Sequence, residues 1–205
     1  MRRFLLLAGL LAGAPVVASA QAQPEVSARL GPDRAAGPNP EWRVANLFEE
    51  GRWKDALESA YSIRLEWQVT AWRKRAIADA KGPALPYSVI IRKQPLLEEY
   101  QMITQLTGRR PTEQRFATLA ALKVAVGTYV TSGFQFREGG NWYYSVRLDI
   151  TTLNDEELAK LQQFLDDPSA GDPLAGGAVT RGVMRLFLPT QTLGDNTPTF
   201  SFRLR

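Results

Sequence analysis

The side chains best placed for chemistry are acids in loops. Asp166, Asp167 and Asp172 fall in one Gly/Pro/Asp-rich stretch, 166–181, and Asp195 falls in another loop. Aspartates gathered at one end of a β domain can bind calcium, a hard cation that takes carboxylate and carbonyl oxygens. The run Asp-Asp-Pro-Ser-Ala-Gly-Asp-Pro matches no defined calcium loop, however, and a polar, helix-terminating connector accounts for the same composition. Glu98-Glu99 and Asp155-Glu156-Glu157 are the other carboxylate groups that acid–base work could use. Neighbouring strand residues point to opposite faces, so Glu98 and Glu99 do not converge on one substrate. The second group is what a helix start asks for, since acids there meet the positive end of the helix dipole.

Much chemistry is excluded by composition. The chain has no Cys and no His, which removes disulfides, thiolate nucleophiles, Cys/His zinc sites and an imidazole base. Neither Ser-x-x-Lys nor Gly-x-Ser-x-Gly occurs to supply a serine mechanism. No catalytic residue and no cofactor is therefore assigned.

Two basic clusters remain as candidate contact sites: Trp72-Arg73-Lys74-Arg75 at a strand end and Arg109-Arg110 in a turn. Each has two readings. It meets anionic lipid headgroups or an acidic partner, or it is a solvated strand end whose charge discourages edge pairing. Trp67, Tyr100, Trp142 and Tyr144 read as core aromatics.

The N-terminus bears on where any such contact would be made. Arg2-Arg3, the apolar stretch Phe4 to Val17, and Ala18-Ser19-Ala20 compose the three parts of a secretory signal, with cleavage expected after Ala20. The apolar stretch is shorter than the roughly 20 residues of a spanning helix, and Pro15 interrupts it. The arginine pair lacks the polar flanks of a twin-arginine signal, and without Cys no lipid anchor can follow. The expected product is periplasmic or secreted, 185 of the 205 residues. Loss of Arg2 and Arg3 takes the 25 cationic residues to 23 against 21 acids, a formal +2 in place of +4. That charge and that location disfavour nucleic acid as a partner.

The elements that must position these residues are mostly strands. Residues 21–40 read as a flexible start containing a short alternating run, Val26, Ala28 and Leu30. Residues 41–205 read as one domain. Val44 and Leu47-Phe48 are core candidates. Glu49 to Ala60 has helical spacing in Trp53, Ala56, Leu57 and Ala60. Ser62 to Lys74 alternates: Ile63, Leu65, Trp67, Val69 and Ala71 against Arg64, Glu66, Gln68 and Thr70, one buried face and one wet face. Such alternation belongs to antiparallel sheets.

Gly82-Pro83 and Pro86 predict a loop, Tyr87 to Lys93 a strand, and Leu97 to Leu106 with Thr112 to Phe116 a hairpin. Thr118 is placed to cap a helix over Leu119, Leu122 and Val126. Tyr129 to Arg137 and Trp142 to Ile150 predict a second hairpin across Glu138-Gly139-Gly140-Asn141. Asn154 with Glu157 predicts a capped helix to Leu165. The mobile loop 166–181 follows, and then a last strand pair, Gly182 to Leu188 and Thr199 to Leu204, joined through Gly194 to Pro198. The expected fold is mainly β: an antiparallel β-sandwich or open barrel with about three short helices.

Several of these stretches together resemble an uncharacterised bacterial family of exported proteins. They are Ala56-Leu57-Glu58-Ser59 running into Ile63-Arg64-Leu65-Glu66-Trp67-Gln68-Val69; Pro95-Leu96-Leu97-Glu98-Glu99-Tyr100; Phe116-Ala117-Thr118-Leu119; and Tyr143-Tyr144-Ser145-Val146-Arg147-Leu148. The similarity covers about residues 45–165. It does not extend to the loop 166–181 or to the C-terminal strand pair. The resemblance implies no known activity and transfers no functional residue. Some members are encoded beside a sensor histidine kinase, which implies an envelope or signalling role.

The function expected from these readings is a non-catalytic binding protein of the cell envelope. Its partner would be an envelope protein or a membrane surface. The alternatives are an envelope hydrolase working through carboxylates or an oxygen-liganded metal, and a small outer-membrane β-barrel. Against the barrel stand the short strands and interspersed capped helices, since barrel strands run about 9–11 residues.

Overall fold

Residues 23–32, 34, 37–49, 51–106, 109–135, 138–153 and 190–202 are described by a computed structural model. In chain order the elements are β1 (Glu25–Leu30), β2 (Pro40–Ala45), α1 (Arg52–Glu58), β3 (Ser62–Arg73), β4 (Ala80–Gln94), β5 (Glu99–Leu106), β6 (Thr112–Phe116), α2 (Leu119–Val126), β7 (Val130–Thr131), β8 (Gly140–Leu153), β9 (Gln191–Asn196) and β10 (Phe200–Phe202). The signal segment, the helix expected over 154–165, the loop 166–181 with Asp166, Asp167 and Asp172, and the strand expected over 182–188 lie outside the described residues.

The alternation in β3 organises the fold. Ile63, Leu65, Trp67, Val69 and Ala71 are all buried on one side. β3 pairs antiparallel along its length with β4 and β8, its register running from Ile63↔Ile91 to Arg73↔Ala80 on one flank and from Ser62↔Leu153 to Arg73↔Trp142 on the other. The period of two carries across the ladder: Val89 and Ile91 of β4 and Tyr144, Val146, Leu148 and Ile150 of β8 join the same inner face. Each such Leu or Ile contributes roughly 1.5–3 kcal/mol by leaving water. The sheet order is β10-β8-β3-β4-β5-β6, with β9 also on β8. All pairings are antiparallel, and the large sheet curls strongly into a half-barrel. The fold is mainly β, with two helices among the described residues.

A second sheet, β1-β2-β7, covers the inner face. Trp42 of β2 is fully buried, its ring 6.4 Å from Trp67 and edge-on to Tyr87 at 5.9 Å. Within the segment expected to be flexible, Glu25–Leu30 is thus a ladder strand, paired with β2 from Glu25↔Ala45 to Leu30↔Pro40. Two polar bonds tie the sheets together. The Ala28 amide donates to Asp195 Oδ2 at 2.7 Å, and the buried Tyr144 hydroxyl donates to the Pro38 carbonyl at 2.8 Å.

Four expectations are corrected. The hairpin between 129–137 and 142–150 does not form: both flanks of β8 are occupied, by β3 on one side and β9 and β10 on the other. Among the described residues of 129–137 only Val130–Thr131 is a strand, and it pairs with β2. Phe134 is held instead by its amide donating to Asn39 Oδ1 at 3.1 Å, which seats the ring 5.1 Å from Tyr144. Gly82, Pro83 and Pro86 lie inside β4, not in a loop. β5 pairing starts only at Tyr87↔Leu106, so the prolines stand where β4 has one neighbour, and a register shift opposite Thr70/Trp72 absorbs Pro83. Gly194 to Asn196 belongs to β9, so Asp195 is a strand residue. Ala60 lies beyond α1 at φ 65. The Tyr61 amide donates to Ala56 O and the Ala60 amide to Leu57 O, the two bonds of a Schellman ending.

The face expected to be wet is partly buried. Gln68 is exposed, but Arg64 and Thr70 are buried, as are Ile90 and Ile103, which face each other across β4–β5. Arg64 there forms an ion pair with Glu66.

Candidate functional site

One end of the large sheet carries a cleft of about 410 Å³ lined by Lys93, Pro95, Glu98, Tyr100, Ala117, Thr118 and Leu119. Three elements build it. The β4–β5 turn, Pro95 to Glu98, closes with the Leu97 amide on Gln94 O at 3.1 Å and places Glu98 at φ 51. β5 returns Tyr100 to the inner face. The chain after β6 enters α2 at Thr118, whose Oγ1 accepts from the Ala121 amide at 3.2 Å, the expected cap.

An ionic group ties this end to α1. Glu58 accepts from Lys93 Nζ at 2.5 Å and from the Tyr100 hydroxyl at 2.7 Å. Lys93 also lies 5.9 Å from the Tyr100 ring centroid. The bond from Lys93, then that from Tyr100, holds the Glu58 carboxyl below the usual carboxylate range. Burial, reinforced by the Glu58 bond, pushes the Tyr100 hydroxyl up to about 12. At neutral pH Glu58 is a carboxylate and Tyr100 a neutral phenol, and Glu58 accepts from both Lys93 and Tyr100. Glu58 thus holds Lys93 and Tyr100 together, and the three brace the cleft.

The rim is apolar. Leu96 is 99% exposed and Leu97 59%, on the turn itself, and Tyr61 is exposed at the same end of the sheet. Turns between strands favour Gly, Pro, Asn and Asp, so paired leucines there are costly to solvate and ask for a partner.

The basic residues named from sequence occupy the opposite direction along the strands. Trp72 and Arg73 end β3, and Lys74 and Arg75 begin the β3–β4 turn. Arg73 pairs with Glu138 at 2.9 Å. Arg109 and Arg110 are exposed in the β5–β6 turn. The register does not bring the two clusters together, because β4 extends through Ala80–Pro86 beyond its last pair with β5, Tyr87↔Leu106. Of the carboxylates, Glu99 pairs with Arg115 at 3.3 Å, while Glu98 stands in the turn before β5 and lines the cleft. Trp67, Tyr100, Trp142 and Tyr144 are core residues. The metal candidates Asp166, Asp167 and Asp172, like Asp155 to Glu157, lie outside the described residues.

Sequence reasoning missed Glu58 and Lys93, which lie 35 residues apart and carry no local signal. Leu97, read from sequence as the start of a strand to Leu106, lies in the turn before β5 together with Leu96. No family model, curated protein or solved structure matches the chain. Among the described residues no helix is long and apolar enough to cross a membrane.

Proposed function

We propose that this chain is an exported, non-catalytic binding protein of the bacterial envelope that holds a protein partner at the Leu96–Leu97 end. The carrying observation is the rim. Two leucines stand exposed beside a cleft whose Lys93 is paired with Glu58 and whose other charged lining residue is Glu98. An exposed apolar rim around a polar, braced cleft suits a protein contact, where a central apolar anchor supplies most of the affinity. The reading of residues 1–20 as a secretory signal supports a contact outside the cytoplasm. The resemblance to the exported family points the same way, since Glu58, the Pro95 to Tyr100 segment and the Ala117 to Leu119 segment all converge on this cleft.

The test is site-specific photocrosslinking in a bacterium that exports the protein. A photoreactive residue at Leu96 is expected to give a discrete adduct in the envelope fraction, lost on Leu97→Asp. The same residue at Gln68, exposed on the outer face, gives none. Adducts equal at both positions, or none at Leu96, would refute the site. Retention of the protein in the cytoplasm would refute the location.

A further inference from the structure

The turn joining β3 to β4 is built unlike a solvated turn. Its tip reads Ala76-Ile77-Ala78, all exposed, with Ile77 wholly so. It contains no Gly, Pro or Asn. Three consecutive exposed apolar residues are a fault in a sequence unless they meet something. Cations flank them: Lys74 and Arg75 before, Lys81 after. Among the described residues none of these three has an ion pair. The nearby acids are turned to other work. Asp79 accepts from the Arg75 amide at 3.2 Å and from the Tyr143 hydroxyl at 2.9 Å, and Glu138 pairs with Arg73. Behind the tip, on the outer face, the register sets Tyr143, Trp72 and Lys81 side by side across β8, β3 and β4.

We infer that this hairpin tip docks on an anionic phospholipid bilayer: Ile77 and its flanking alanines enter the headgroup–acyl boundary, Lys74, Arg75 and Lys81 meet lipid phosphates, and Trp72 and Tyr143 lie at headgroup depth. Apolar insertion and cation–phosphate attraction add at such surfaces, each strengthening the other by holding the tip in place. Trp and Tyr suit the boundary because one end of each ring system is apolar and the other wet. A charged strand end that only prevented edge pairing would want a polar tip. An acidic protein partner would use the cations and have no need of Ile77. The inference rests on the proposed export only for which bilayer is met, and it concerns the end opposite the cleft.

The absence of Cys makes the test direct. Ile77→Cys and, as the control at the other end, Leu96→Cys are each labelled with an environment-sensitive nitrobenzoxadiazole and mixed with phosphatidylglycerol or phosphatidylcholine vesicles. The label at 77 is expected to brighten and shift to the blue with phosphatidylglycerol only, and the label at 96 to stay unchanged. In sedimentation, Lys74→Ala/Arg75→Ala should bind about thirtyfold more weakly, from the loss of two cations near an anionic surface. Ile77→Ser should bind about tenfold more weakly. All these positions are exposed, and circular dichroism of each variant verifies the fold. No response at 77, or equal responses at 77 and 96, would overturn the inference. So would sedimentation indifferent to Ile77→Ser, which would mean attraction by charge alone without apolar insertion. Crosslinking at Leu96 reads neither outcome, so the two readings fail separately.

Discussion

Gly82 sits in β4 just behind the turn, where a side chain has no room. A Cβ there would lie 2.8 Å from Trp142 Cζ3 and 3.0 Å from the Ala71 carbonyl oxygen. Trp142 is buried, and Ala71 is backbone in the middle of the curled sheet, so neither yields cheaply. Gly82→Ala therefore overpacks the site, and overpacking of this kind costs about 2 kcal/mol. For a domain of this size each kcal/mol moves the unfolding temperature by roughly 2–4 °C. A drop of about 4–8 °C in the circular-dichroism melt is expected. Gly133→Ala is the matched control. It meets nothing within 4 Å, so its main effect is to restrict the unfolded chain, a gain of about 0.4–1 kcal/mol. The same substitution should thus move the two melts in opposite directions. If Gly82→Ala melts with the parent protein, Gly82 does not pack against the Trp142 indole, and the continuity of β4 through Pro83 is refuted with it.

The cleft brace makes a pH prediction. Glu58→Gln removes the ion pair with Lys93 but keeps an acceptor for Tyr100. With side chains 38% and 26% exposed, solvent screening limits the loss to about 1 kcal/mol at neutral pH. Glu58 is depressed in the folded state, so its contribution is complete above the usual carboxylate range and is lost as pH falls through its lowered value. Tyr100 is raised, so its share is complete below about 10 and is lost as pH climbs through about 12. Urea melts of parent and variant should converge in acid, and a gap that persists there would count against the ion pair. At the end of α1, Ala60 carries a Cβ at φ 65, where glycine is unstrained. Relief of left-handed strain exceeds the added freedom of the unfolded chain, so Ala60→Gly should stabilise by roughly 0.5–1 kcal/mol. A lower melting temperature would show that the Schellman ending is absent.

What was legible in the sequence was whatever a local period or cap writes. β3 alternates because its inner face is buried along most of its length, and Thr118 caps α2 because the hydroxyl and the amide it accepts from are three residues apart. What was illegible depended on occupancy of edges. Residues 129–137 look like a hairpin partner for β8, yet β3 and β9 take that strand's edges through pairings far apart in sequence. Gly82-Pro83 reads as a break because the signal of a missing amide cannot reveal that no neighbour needs it there. Arg64 reads as solvent-facing from alternation alone, although it is buried on that face. The brace at the cleft joins residues 35 and 42 positions apart, beyond any motif. The exposed leucines and Ile77 carried a signal of another kind: apolar residues in turns, where burial cannot explain them.

The two apolar ends are joined by a single strand. β4 begins beside the Ile77 turn and ends beside the Leu96 turn, 15 residues later. At about 3.3 Å per residue that is roughly 45–50 Å before curl shortens it. The Debye length in physiological salt is about 8 Å, so the cations of Lys74, Arg75 and Lys81 cannot steer a partner to the cleft. Nor can an acidic partner at the cleft screen them from lipid. The ends are also mechanically linked, because β3 and β4 pair with each other along nearly the whole distance. A chain docked through Ile77 would therefore present the Leu96–Leu97 rim well clear of headgroups, at a height set by strand length and not by a flexible linker. Lengthening the Arg75–Asp79 turn should weaken lipid docking while leaving the cleft contact intact. Loss of both together would mean that the two ends form one interface.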